Sequence, residues 1–286
     1  MGRPPKAQVI AAGDEAGEKP ALTRTLERGL ILLTLVAKGG GRSLIDISRE
    51  AGMSPSTALR LLETLRVHHF VEKDVETGLY RTAIGAFEVG SSYVRQNGLS
   101  ESARIVLRKI SVELGQTANL AILDRSDIVY IERLEADGPL GTRGRWGERL
   151  PAHSTAAGKA ILAWSWESRC DEILGPAPYA QPTVNTIVDR DRLMRHLRTT
   201  RERGYARDDE ESVLGLRCIA APVLDREGRP QAAISISMLA MNKDSAQEAV
   251  IAETVRVAAQ RLAGMVGWQH QPLSSSRVDS HSVFMD

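Results

Sequence analysis

Residues 47–65 read ISREAGMSPSTALRLLETL, which predicts the end of one helix, a glycine turn and a second helix. Ser54 is expected to cap the second helix, because a serine hydroxyl can accept a hydrogen bond from a free backbone N–H there. Pro55 fits the first turn, where its missing N–H costs nothing. Two helices joined by a tight glycine turn are typical of a helix-turn-helix, which offers its second helix to the major groove of DNA.

The second predicted helix has an apolar face and a polar face. Its apolar residues fall within a stripe of about 100° that can pack on neighbouring helices. They are Ala58, Leu61, Leu62 and Leu65. The opposite face carries hydroxyls and a guanidinium, which suit base edges and phosphates. These residues are Ser56, Thr57, Arg60 and Thr64. A solvated face in an ordinary bundle is the alternative, but the capped pair of helices favours DNA binding.

Patterns on both sides of this stretch complete a winged domain. A helix is predicted over residues 25–37, ended by the glycines at 39–41, and Ser43 predicts the cap of the next helix. Residues 70–73 and 79–82 predict two strands around a turn that contains glycine. Lys73 and Arg81 lie near this hairpin, where cations can contact DNA phosphates and make binding salt-dependent.

The composition is that of an ordinary globular protein. The 286 residues include 37 Lys and Arg against 36 Asp and Glu, and 42% are hydrophobic, which excludes wholesale disorder and collagen. We expect a cytoplasmic protein with no membrane partner, because no apolar run approaches ~20 residues and no signal peptide is recognisable. The two cysteines, Cys170 and Cys218, fit a reducing compartment. Residues 21–70 hold seven basic and four acidic side chains, a mild excess that permits a DNA-binding head.

The same patterns divide the chain into five segments. We predict a disordered tail (1–22), a winged helix-turn-helix domain (23–82), a linker helix (83–99), a second domain (100–268) and another disordered tail (269–286). In the second domain, strands are predicted over 117–123, 128–134, 216–224 and 231–239, and helices over 153–164, 190–203 and 245–266. This mixture of antiparallel strands and helices indicates an α+β domain.

No enzyme motif occurs in the second domain, and its polar residues suggest ligand binding instead. A phosphate loop, a dinucleotide fingerprint, HExxH and a nucleophile elbow are all missing from the sequence. Ser235 and Ser237 are two apart on a predicted strand and therefore share a face. The predicted helix start near Ser154 offers free N–H groups that suit a carboxylate. The alternative is that the serines simply pair with the backbone.

The first domain resembles the winged helix-turn-helix head of the IclR family of bacterial transcriptional regulators. The resemblance rests on residues 47–65 and on the hairpin that ends in TGLYR at 77–81. One departure is VHHF at 67–70, where many members have a glycine near position 69, so the turn before the wing is expected to differ slightly. With Arg24 added, the predicted DNA-contacting residues are Arg24, Ser54, Ser56, Thr57, Arg60, Thr64, Lys73 and Arg81.

The second domain is similar to the effector-binding domain of the same family. The resemblance is carried by LPAHSTAAGKA at 150–160, GYARDDEE at 204–211, GLRCIAAPV at 215–223 and AISIS at 233–237. It implies a GAF-like fold that binds a small organic or aromatic acid. The ligand-lining positions that it implies are Leu150, Ala156, Ala157, Asp208, Leu216, Cys218, Ser235 and Ser237. Some members have glycine where Ala156 stands, so we expect the methyl group of Ala156 to narrow the space for the ligand.

The resemblance also implies how the protein works. It implies a ligand-responsive regulator that forms a homodimer or tetramer. We interpret the protein as a repressor and expect no cofactor. A carboxylate bound at the helix start and the serines would favour one of two arrangements and so shift the spacing of the DNA-binding heads.

Two alternatives remain open from the sequence. Cys218 beside His153 would be a thiolate–base pair in a GAF-like thiol redox enzyme. His153, Asp208 and Cys218 are also ligand types that suit zinc.

Overall fold

A computed structural model describes residues 23–96, 99–135, 146–241 and 245–266. The predicted tails at 1–22 and 269–286 lie outside the described residues. The described residues form two compact units, which divide between Tyr93 and Val94. None of the described helices has the length and apolar character needed to cross a bilayer.

The first unit is a winged helix-turn-helix, as predicted. Its elements are α1 (Arg24–Ala37), α2 (Leu44–Glu50), α3 (Pro55–Val67), β1 (Val71–Lys73), β2 (Tyr80–Thr82) and the start of α4 (Ile84–Gln96). The two strands pair antiparallel, with Glu72 opposite Arg81. Ala58 and Leu62 of α3 are buried against leucines of α1, and Leu61 and Leu65 are partly buried beside them. The predicted apolar stripe is therefore the packed side of α3.

Serine caps and a left-handed glycine fix the two central helices. The Ser43 hydroxyl accepts the Asp46 N–H at the start of α2, and the Ser54 hydroxyl accepts the Thr57 N–H at the start of α3. Between them, Gly52 has φ +61°, a conformation that side chains with a Cβ disfavour. These local signals explain why both helices could be predicted from the sequence.

The turn before the wing keeps a left-handed residue although no glycine is present. His69 has φ +60° and passes the chain from α3 to β1. Gly85 packs against this turn so closely that a Cβ on it would lie 2.8 Å from the His69 carbonyl oxygen. At the position where many members have glycine, this chain therefore holds a histidine in the left-handed region.

Replacing His69 with glycine is expected to stabilise the first unit by about 0.5–1 kcal/mol, because glycine adopts positive φ without the steric cost of a Cβ. Slower amide hydrogen exchange along α3 would report the gain. His68→Gly is the matched control, since His68 has φ −91° and gains nothing from glycine. Equal or opposite effects of the two variants would contradict this account of the turn.

The second unit is an α+β domain built on a six-stranded sheet. Its elements are α5 (Leu99–Leu114), β3 (Thr117–Asp124), β4 (Asp127–Leu134), β5 (Arg149–Pro151), α6 (Ala156–Ala163), α7 (Glu167–Leu174), α8 (Arg190–Arg203), β6 (Ala206–Asp209), β7 (Leu216–Leu224), β8 (Pro230–Leu239) and α9 (Ser245–Val266). The strands are all antiparallel, in the order β5-β4-β3-β8-β7-β6. Four of these elements, α5, α7, β5 and β6, were not predicted.

The sheet buries both of its faces. One face packs on α5 and α9 through residues such as Ile234 and Ile236. The other face packs on α6 and α8, and alternation along β8 directs Ser235 and Ser237 to it. Gly158 allows α6 to lie close to the chain before it, because a Cβ there would lie 2.2 Å from the Ala152 carbonyl oxygen.

Two local features depart from the predicted pattern. The predicted helix over 153–164 was wrong at its start: Ala152–Ser154 is a 3-10 turn, and α6 begins at Ala156 because the Thr155 hydroxyl caps it by accepting the Gly158 N–H. A bulge lies opposite the Leu120–Ala121 step, where Glu132 pairs with Leu120, Tyr130 pairs with Ala121 and Ile131 is left over. Arg133 is thereby paired with Asn119 and shares its face of the sheet.

Candidate functional site

The outer face of α3 presents the residues that the sequence predicted for DNA. Ser56, Arg60 and Thr64 are exposed, Thr57 is half-buried, and Ala58 on the inner face is buried. An exposed guanidinium beside short hydroxyls matches the geometry of a recognition helix.

The described hydroxyls of α3 take part in hydrogen bonds within the helix itself. The Ser54 hydroxyl caps the helix and lies 2.9 Å from Thr57 Oγ1 and 3.1 Å from Ser56 Oγ. Thr64 donates its hydroxyl proton to the Arg60 carbonyl oxygen at 3.0 Å. The exposed Arg60 guanidinium is therefore the best-placed group on this face for a base edge.

The wing carries two exposed cations. Lys73 Nζ lies 5.5 Å from the centre of the Tyr80 ring, and Arg81 lies 3.8 Å from Asp74 Oδ2. Asp74 Oδ1 accepts the Thr77 N–H at 2.8 Å, which lowers the pKa of that carboxyl and orders the turn. Arg24 is exposed at the start of α1. The DNA contacts of all these residues stay predictions.

In the second unit, strand register brings polar side chains into two adjacent rows on the face that α6 covers. One row joins Asp208 to Cys218, Cys218 to Ser237 and Ser237 to Thr117. The other row joins Ala220 to Ser235, Ser235 to Asn119 and Asn119 to Arg133. Directly paired residues of antiparallel strands share a face, so these rows form one polar patch in an otherwise apolar layer. We call this patch the seat.

The apolar positions that the family resemblance implied surround the same face. Ala156 and Ala157 at the start of α6 are buried, and Leu150 and Leu216 are partly buried in the same cluster. The eight positions implied by the resemblance therefore belong to one layer of the second unit. Their contact with a ligand stays a prediction.

Asn119 and Arg133 belong to the seat, although the sequence reasoning missed both. Asn119 is fully buried and donates from Nδ2 to Ser237 Oγ at 3.2 Å and to Ser235 Oγ at 3.5 Å. Its Oδ1 accepts from Arg133 Nη1 at 3.0 Å. Both serine oxygens therefore accept a hydrogen bond from a protein side chain. Polar residues inside predicted strands were the signal that could have identified this pair.

Asp208 organises the loop that follows β6. Its Oδ1 accepts the Glu211 N–H at 2.7 Å and the Ser212 N–H at 3.2 Å, and its Oδ2 accepts the Ser212 hydroxyl. Burial raises the pKa of Asp208 to about 6, opposed by the Ser212 hydrogen bond and by Lys159. Most of its acceptor capacity is directed to its own loop.

A buried ion pair lies beside this loop. Lys159 of α6 is fully buried, and its Nζ contacts Glu211 Oε1. Burial lowers the pKa of Lys159, while the Glu211 carboxylate raises it. The Glu211 carbonyl oxygen accepts the Thr186 hydroxyl proton at 2.6 Å, and the neighbouring Glu210 carbonyl oxygen accepts the Thr183 hydroxyl proton at 2.7 Å. Glu211 thus connects α6, the segment that holds Thr186 and its own loop.

The geometry does not favour the two alternatives. Cys218 Sγ lies 3.4 Å from Ser237 Oγ, and His153 Nε2 bonds instead to the Ala180 carbonyl oxygen at 2.8 Å. Burial raises the pKa of Cys218 to about 12, so a reactive thiolate is disfavoured. Within the described part of the chain, no three His, Cys, Asp or Glu side chains come together as a metal site, which speaks against zinc held by His153, Asp208 and Cys218.

Comparison with known protein families bears on both units. The model of the IclR helix-turn-helix domain matches residues 25–75, and the model of the bacterial transcriptional regulator IclR C-terminal domain matches residues 91–263. The chain belongs to the IclR family. It is a transcriptional regulator with a DNA-binding helix-turn-helix domain and a C-terminal effector domain, as the resemblance implied.

Two transcriptional regulators of Escherichia coli align with most of the chain. It is 36% identical over 248 residues to the transcriptional regulator XynR of Escherichia coli, covering 86% of this chain and 98% of XynR. It is 37% identical over 232 residues to the transcriptional repressor IclR of Escherichia coli, covering 77% of this chain and 85% of that protein.

A solved IclR homologue from Microbacterium hydrocarbonoxydans, crystallised with 4-hydroxybenzoate, shares the fold. The two structures superpose with a TM-score of 0.71 at 24% identity, covering 85% of this chain and 98% of the homologue.

Proposed function

We propose that this IclR-family regulator is a repressor that binds an operator through α3 and the wing and releases it when a small organic or aromatic acid occupies the seat. The observation that supports an acid as ligand is the pair of buried hydroxyls, Ser235 and Ser237, on the face of the sheet against which α6 packs. Hydroxyl donors and the first N–H groups of a helix both favour a carboxylate.

Two relatives support repression rather than activation, and an organic acid as the class of ligand. The Escherichia coli protein that is 37% identical is named a repressor, and the Microbacterium homologue was crystallised with 4-hydroxybenzoate, an aromatic acid. On the DNA side, we propose contacts from Arg24, Ser54, Ser56, Thr57, Arg60, Thr64, Lys73 and Arg81. On the ligand side, we propose Leu150, Ala156, Ala157, Asp208, Leu216, Cys218, Ser235 and Ser237.

The proposed regulator acts as a homodimer or tetramer in the cytoplasm, without catalysis. A single head of this size reads too few base pairs, so two-fold symmetry is needed. Apolar side chains support a protein partner: Leu26 and Leu30 on α1, and Ile84 and Phe87 on α4, are each more than half exposed. Light scattering of the full chain measures its mass and distinguishes a monomer from a dimer and a tetramer. A monomer would contradict the proposed assembly.

A thermal-shift screen of small carboxylic and aromatic acids tests the function. An acid that binds only the folded state raises the melting temperature of the chain. The same acid is expected to weaken operator binding about 5- to 150-fold, the usual range for coupling between two sites. If the acid instead tightens operator binding, the chain is an activator, or a repressor for which the acid is the co-repressor. An acid that binds without changing operator affinity would contradict the coupling.

A further inference from the structure

Asn119 connects the Arg133 guanidinium to both serine hydroxyls of the seat. Arg133 Nη1 donates to Asn119 Oδ1 at 3.0 Å, and Asn119 Nδ2 lies 3.2 Å from Ser237 Oγ and 3.5 Å from Ser235 Oγ. All four side chains are less than a tenth exposed. Inside the protein such a chain of polar groups orients each of its members.

The direction of the hydrogen bonds follows from the chemistry of arginine. A guanidinium only donates, so Asn119 must present its carbonyl oxygen to Arg133. The opposite orientation would place two donors face to face. The amide nitrogen of Asn119 therefore points to the serines, and both serine oxygens act as acceptors there.

The serine protons are consequently directed elsewhere. Ser237 Oγ also lies 3.4 Å from the Cys218 thiol, which can donate but is a weak acceptor. Among the described residues, no hydrogen bond uses the proton of Ser235 or Ser237. Each hydroxyl has one proton, and once its oxygen accepts from Asn119 that proton is available to a third group.

We propose that Arg133 and Asn119 are positioning residues that turn Ser235 and Ser237 into hydrogen-bond donors, and that the seat therefore selects a carboxylate over the matching primary amide. This inference rests on the proposed function, because it concerns the ligand of the same seat. A carboxylate oxygen is an acceptor only, whereas an amide brings an N–H₂ donor that would face the serine protons.

The charges around the seat are compatible with this selection. Arg133 is the cation of the seat, and its Nε lies 3.3 Å from Glu135 Oε1, whose side chain is exposed. Asp208, the carboxylate of the seat, accepts three hydrogen bonds from its own loop. The Lys159 charge is paired with Glu211.

We call the hydrogen-bonded chain from Arg133 through Asn119 to the two serines the relay. Asn119→Asp tests it, because an aspartate would accept from Arg133 and also from the serines. The serine protons would then point away from the ligand. The probes are 4-hydroxybenzoate with 4-hydroxybenzamide, and lactate with lactamide, measured by calorimetry on the full chain. We expect wild type to prefer an acid over its amide, and the variant to lose about tenfold or more of that preference.

Two further variants serve as a control and as a second test. Glu132→Gln is the matched control, since it exchanges a buried carboxylate and amide on the other face, where Glu132 bonds Ser100 and Arg104, and it should leave the preference unchanged. Arg133→Met frees the Asn119 amide to turn and should also reduce the preference for the acid over its amide. This variant replaces Asn119→Asp as the test if Asn119→Asp does not fold.

The outcomes separate the relay from the proposed function. If wild type binds an acid and the acid-to-amide ratio stays the same in Asn119→Asp or Arg133→Met, the relay is wrong and the acid sensor stands. If wild type binds neither acid, nor any acid of the thermal-shift screen, the proposed ligand class fails and the relay fails with it.

Discussion

Glu211→Ala is expected to lower the free energy of unfolding of the second unit by about 3–5 kcal/mol, because it leaves a buried lysine without its counter-charge. Lys159 is fully buried and Glu211 is 6% exposed, so water cannot replace the lost carboxylate. Urea unfolding followed by tryptophan fluorescence measures the change, since all four tryptophans lie after residue 93 and report the second unit.

A control variant and a rescue variant test whether the loss comes from the buried charge. Glu253→Ala removes the partner of Arg256 in an exposed pair and should cost less than about 1 kcal/mol. The double change Lys159→Met with Glu211→Leu should recover most of the loss, because an apolar pair needs no desolvated charge. A cost for Glu211→Ala no larger than that of Glu253→Ala would contradict the role assigned to the pair.

Arg60→Ala is expected to weaken operator binding by about 1–3 kcal/mol, which is about 5- to 150-fold, and to relax specificity at one base pair. The reason is that Arg60 is exposed on the outer face of α3, where a guanidinium can form two hydrogen bonds with one guanine. Selection of bound duplexes from a random pool, for wild type and variant, measures both effects.

Lys73→Ala is the comparison for Arg60. Lys73 is exposed on the wing, and loss of a phosphate contact there should weaken all duplexes equally and reduce the salt slope by about one. If Arg60→Ala also weakened every sequence to the same extent, Arg60 would contact phosphate only, and base reading would have to come from Ser56 or Thr57.

Local signals made much of the fold predictable. Ser54 with Pro55 marked the start of α3, and Gly204, which has φ +85°, marked the end of α8. The strands β7 and β8 were found because apolar runs flank a turn with glycine. Such signals act within a few residues of the chain, so they can be recognised in a single sequence.

The composition of the seat was only partly predictable, because it depends on pairing between distant residues. Asn119 and Ser235 are paired through strand register, and Lys159 and Glu211 are 52 positions apart. Ser235 and Ser237 could be placed on one face by alternation alone. Their donor and acceptor roles could not, since these roles require knowing that Arg133 lies behind Asn119.

The bulge at Ile131 has a consequence for how ligand preference could evolve in this regulator. With regular alternation after Tyr130, Glu132 would share the face of the seat and Arg133 would point to α5. The extra residue reverses that assignment and gives the seat a cation instead of an anion. A change of one residue in the length of β4, without any substitution, would therefore exchange the charge on this face of the sheet.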